Sequence, residues 1–99
     1  MALIEKIKHR LGIAADVTVY DNEFEDLIEH AKSDLLLSGV SAEMISAEPP
    51  EIVNTISFFV KYAFADDSKE SERFGDMYQK SVFRLSTKSW EGNADENIN

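Results

Sequence analysis

The chain contains no cysteine. That removes disulfide staples, thiolate nucleophiles and cysteine-ligated zinc together, so the fold must stand on packing or on association with other chains. Histidine is nearly as scarce. His9 and His30 are the only two; they fall in different predicted helices, without a His-Glu-x-x-His pattern, and read as surface or boundary residues rather than metal ligands. Proline occurs only as Pro49-Pro50, and the four glycines are dispersed, which leaves no glycine-rich loop to cradle a phosphate. Apolar runs are only a few residues long, such as Phe58 to Val60, against the roughly 20 residues that span a bilayer. The opening Met-Ala-Leu-Ile-Glu-Lys has an acidic residue and an amphipathic pattern, with no signal-type apolar block or cleavage site, so a cytoplasmic origin is expected.

What is present is an ordinary hydrophobic fraction, 43%, spread over 99 residues. A chain of this length supports one core, so we expect a single domain over residues 1–90 and a polar, disordered tail over 91–99. The formal charge is −9, from 19 acidic and 10 basic residues. That balance repels a nucleic-acid backbone and an anionic membrane, unless cations gather on one face, and leaves proteins as the default partners.

Spacing and punctuation predict an all-α bundle of four main helices plus a short extra turn of helix. The first covers about Ala2 to Leu11, with Leu3, Ile4, Ile7 and Leu11 on one face and Gly12 as a left-handed stop. Ile13 to Tyr20 includes Val-Thr-Val-Tyr, a β-prone run without a partner strand, and reads as an extended connector. The second helix starts near Asp21 or Asn22 as N-cap, carries Phe24, Leu27, Ile28, Ala31 and Leu35, and ends at Gly39. Ser41 caps a short turn spanning Ala42 to Ile45. Pro50 opens a third, most apolar helix to about Ala65, with Ile52, Val53, Ile56, Phe59, Val60, Ala63 and Phe64 as a broad inner face. The fourth runs from Lys69 or Ser71 to Thr87, with Phe74, Met77, Tyr78, Val82 and Leu85 inward; Gly75 inside it implies close packing or a later start.

No arrangement points to catalysis, a metal or a cofactor. Glu25, Asp26 and Glu29 stand away from the Phe24 stripe and read as a solvated acidic face rather than an acid/base pair. No Gly-x-Ser-x-Gly nucleophile turn is present. The candidate sites are surfaces for other proteins. Lys69, Arg73, Lys80, Arg84 and Lys88 share one sector of the fourth helix, which reads either as a basic docking ridge or as a solvated flank whose stems cover the core edge. Phe58 and Tyr62 on the third helix, and Phe83 and Trp90 at the end of the fourth, lie off the core stripes, where large aromatics often mark interfaces. The alternative for Phe58 and Tyr62 is a third helix enclosed on all sides.

Three segments resemble the small helical head-to-tail connector (head-completion adaptor) proteins of tailed bacteriophages. They are Leu3-Ile4-Glu5-Lys6-Ile7-Lys8-His9-Arg10-Leu11-Gly12-Ile13; Asp21 to Ala31, followed by Leu36, Gly39 and Val40; and Glu72-Arg73-Phe74-Gly75-Asp76-Met77-Tyr78-Gln79-Lys80-Ser81 with Phe83-Arg84-Leu85-Ser86. The third is similar to the Arg-Phe-x-x-x-Tyr-x-x-Ser run of that family's last helix. The resemblance implies a structural virion protein, assembled in the host cytoplasm, that forms a ring of about a dozen copies below the portal. It implies as partners the portal protein and a stopper or tail-completion protein, with DNA passing through unbound. An acidic channel wall, built by Glu25, Asp26, Glu29 or other acids, would let DNA slide. A basic fourth-helix ridge, including Arg73 and Lys80, against the acidic second helix of the next copy is one expected contact. The competing readings from charge are a cytosolic helical regulator of one protein partner and a DNA mimic, the latter interrupted by the basic ridge.

Overall fold

A computed structural model of the chain describes residues 2–88. Its described elements are five helices: α1 Leu3–Arg10, α2 Asp21–Leu37, α3 Ala42–Ala47, α4 Pro50–Phe64 and α5 Ser68–Ser86. Each boundary has a local cause. Glu5 reaches back to accept the Ala2 amide at 3.1 Å, which steadies the start of α1. Gly12 and Gly39, at φ +77° and +99°, supply the left-handed residues just after α1 and α2. Ser41 caps α3 by accepting the Met44 amide at 3.0 Å. Pro50 opens α4 at a position where its missing N–H goes unneeded. Asp67 caps α5 by accepting the Glu70 amide at 2.8 Å, so that helix begins at Ser68, slightly earlier than the sequence pattern indicates.

The short α3 and the four longer helices agree with the all-α expectation. One cap differs. Asp21 is the first residue of α2 rather than its N-cap, and Tyr20 holds the cap position without a side-chain bond. The Asp21 carboxylate is drawn sideways to Lys8 instead.

Hydrophobic burial places α4 at the centre, in contact with α1, α2 and α5. Ile52, Val53, Ile56 and Val60 are fully enclosed, joined by Ile7, Ile28, Ala31, Leu35, Met44, Tyr78 and Leu85 in one core. Two polar residues of α4 are enclosed with them. The Thr55 and Ser57 hydroxyls donate to the carbonyls of Glu51 and Val53, at 2.7 and 2.8 Å, so neither is left unsatisfied. The enclosure weakens toward the end of α4, where Ala63 is exposed and Phe64 retains 40% of its surface. Both were expected inside. The first helix is only eight residues long and does not cover them fully. Phe64 instead meets Phe24 edge-on at 5.1 Å and Tyr20 at 6.0 Å.

The segment 13–20 contains no strand. It winds through two tight turns, closed by amide-to-carbonyl bonds from Val17 to Ala14 and from Asp21 to Thr18. Trp90 and residues 91–99 lie outside the described residues.

Candidate protein interface

The surface of α5 follows from its alternation of apolar and charged residues. Tyr78, Val82 and Leu85 turn inward, and Phe74 and Met77 are half-buried. The opposite side carries Phe83, which is 71% exposed. Lys80 and Arg84 flank it, and with Gln79 and Thr87 they line one shallow depression. The structure therefore brings Lys80, Phe83 and Arg84 together as an apolar ring between two cations. A large aromatic so exposed forgoes a desolvation gain of roughly 2 kcal/mol that a partner surface could supply.

The remaining expected interface residues are dispersed. Phe58 packs against the core and lines a cleft between α4 and α5 with Arg84 and Leu85. Tyr62 is half-exposed, and its ring lies over Gly75. A methyl group added at Gly75 would meet the Tyr62 Cδ1 at 3.1 Å, so close approach explains the glycine. Arg73 sits away from both, its guanidinium 4.6 Å from the Phe74 ring centre, while Lys61 covers the same ring at 5.2 Å.

The basic ridge is partly neutralised within the molecule. Arg73 pairs with Glu70 at 3.5 Å, Lys80 with Asp76 at 3.0 Å, and Lys88 with Glu51 at 3.2 Å. These are exposed pairs, each worth well under about 1 kcal/mol and open to exchange for a partner's carboxylates. Glu51 is the most anchored of them. Backbone N–H donation at the start of α4, followed by Lys88, holds its carboxyl below the usual range. On α2, Glu25, Asp26 and Glu29 are all exposed, with Glu29 3.7 Å from Lys32. That helix presents a mainly acidic face, chemically unlike the Phe83 face of α5.

Two further polar groups matter to the shape of these surfaces. Lys8 is 2% exposed. Its three ammonium protons go to the Ala15 carbonyl at 3.2 Å, the Val17 carbonyl and the Asp21 carboxylate at 2.9 Å. This one side chain fastens the 13–20 segment to α1 and to the start of α2. The sequence signal was its place on the α1 stripe, between Ile4 and Leu11 at helical spacing, where an apolar residue is the ordinary occupant. Tyr78 is the second. Its hydroxyl donates to Asp34 of α2 at 2.6 Å. Burial, then that bond and the Asp34 charge, push its phenol far above the ordinary tyrosine value.

Among the described residues no cluster of three His, Cys, Asp or Glu could hold a metal ion, and no helix is long and apolar enough to cross a membrane. A helical fold whose unusual side chains are surface aromatics and charges, presented on two unlike faces, has the features of a protein that works through contact with other proteins. The chain belongs to the phage connector protein family, whose model matches residues 3–92. No curated protein and no solved structure matches it. Membership gives the chain a connector-type structural role in a bacteriophage.

Proposed function

We propose that this protein forms a ring beneath the portal of a tailed bacteriophage, extends the DNA channel there, and joins the head to a stopper or tail-completion protein. The observation that carries this is the family match over residues 3–92. A ring made by rotation requires two different surfaces on each copy. Phe83 with Lys80 and Arg84 supplies one. Arg73 adds charge to the same helix, and the half-exposed Tyr62 lies beside it. Phe58 supports the α4–α5 seam behind that face, and Trp90, outside the described residues, is assigned by this reading to a portal or tail-side partner.

The acidic face of α2 is then left for the channel. Carboxylates at Glu25, Asp26 and Glu29 facing DNA would repel its phosphates and keep the duplex from adhering. The direct test is a phage lacking this protein. The reading expects DNA-filled heads without tails, with infectivity restored when purified protein is added to them in vitro. Tailed particles of normal infectivity would contradict it.

A further inference from the structure

A groove of about 520 Å³ lies where the end of α1, the end of α4 and the first turns of α5 meet. Its apolar lining includes Leu11, Ile13, Phe64 and Phe74. Asp66, Asp67 and Glu70 bring three carboxylates to it, Asp67 also capping α5 and Glu70 in an exposed, exchangeable pair with Arg73 at 3.5 Å, and Lys61 is the one cation of the lining. That cation is already committed to the face of Phe74, 5.2 Å away, and Arg73, beside the groove, covers the same ring. The site is thus apolar within and acidic at its edge. The shape that complements it is an apolar group carried between two cations.

The same chain displays that shape. Phe83, 71% exposed, stands between Lys80 and Arg84. It cannot reach the groove of its own molecule, because Phe74 and Phe83 ride on one continuous helix, with roughly 14 Å of axial rise between them. We propose that Phe83 of one copy seats in the groove of a second copy, with its Lys80 and Arg84 against that copy's Asp66, Asp67 and Glu70. This rests on the self-assembling reading above and adds the surface that receives the α5 face. The two halves of the contact are different parts of the molecule, so each copy offers one half to each neighbour. Such head-to-tail pairing propagates, closing into a ring where the rotation allows. Burial of the aromatic supplies the attraction, and the charges set register and exclude wrong partners. It also leaves the acidic face of α2 uncovered.

The absence of native cysteine makes the test direct. Ala65→Cys places a thiol at the groove and Thr87→Cys places one beside Phe83. A chain carrying both, oxidised or treated with a short bismaleimide, gives a ladder of linked oligomers; single variants give only a mixed dimer when combined. Lys80→Glu with Arg84→Glu removes the ladder, as does Asp66→Lys with Glu70→Lys, and all four together restore it. Asp66, Glu70, Lys80, Arg84 and Thr87 are exposed and Ala65 is half-buried, and circular dichroism verifies that each variant folds. Cross-linked species that stop at dimers overturn the proposal. Association in native mass spectra that survives both reversals, without a ladder, overturns this contact while leaving self-assembly in place. The groove would then receive another virion protein. Absence of association by either method overturns both readings.

Discussion

Replacing Lys8 by methionine keeps most of the side-chain volume but strips the carbonyls of Ala15 and Val17, and the Asp21 carboxylate, of one shared donor. Asp21 retains about a third of its side-chain surface, so water relieves part of the loss. The expected destabilisation is ~2 kcal/mol, seen as a lower urea midpoint with an unchanged slope. Faster amide exchange over residues 13–20 should accompany it. A midpoint equal to the unaltered protein's would show that the segment is held by other means. Tyr78 has its own signature. Its phenol is raised in the folded state, so its contribution to stability is complete below the ordinary tyrosine value near 10. That contribution is lost only as pH rises through the higher folded value. Spectrophotometric titration should show one tyrosine that ionises only as the protein unfolds in alkali, and Tyr78→Phe should remove it. Neither group was legible in the sequence as a buried polar contact. Lys8 and Asp21 are thirteen positions apart, and Asp34 and Tyr78 forty-four, beyond any helical spacing rule.

The helices were legible because their signals are local. Apolar stripes, Ser41 before α3, Pro50 at the head of α4, and glycines after α1 and α2 each act within a turn of the residue that carries them. What sequence spacing does not carry is how far neighbouring helices extend. Phe64 therefore counted as inner face although α1 ends too soon to cover it, and the Tyr62 contact at Gly75 had no local sign beyond the glycine itself. Gly39→Ala should destabilise by ~1 kcal/mol or more, since φ +99° is strained for any side chain. Gly75→Ala should do the opposite, by roughly 0.5 kcal/mol. The half-exposed Tyr62 ring can yield a few tenths of an ångström, and the helical gain then dominates. A loss of stability at position 75 would mean that Tyr62 is fixed. The Glu51–Lys88 pair ties the head of α4 to the end of α5. Because the folded Glu51 carboxyl is depressed, its contribution is present above the unfolded value and lost as pH falls through the folded one. Glu51→Gln should therefore flatten the acid limb of the stability curve; an unchanged limb would assign that pH dependence to other carboxylates.

At the scale of the whole molecule, net charge and the scarcity of chemistry-bearing residues pointed to protein partners, and the ordered resemblance of three segments pointed to the family. The groove between α1, α4 and α5 was not legible, because its lining residues come from two separated stretches, 11–13 and 61–74, that only the fold brings together. If the acidic face of α2 lines a channel, neutralising Glu25, Asp26 and Glu29 should slow DNA ejection from otherwise normal particles, measured as the rate of DNA release after triggering. An unchanged rate would place other acids at the wall. The central claim, a closed ring built from two unlike faces, is tested most directly by native mass spectrometry over a concentration series, with negative-stain images of the same samples. The account predicts a single closed species of many copies, about a dozen, that gains population with concentration. A stable dimer that grows no further would contradict it.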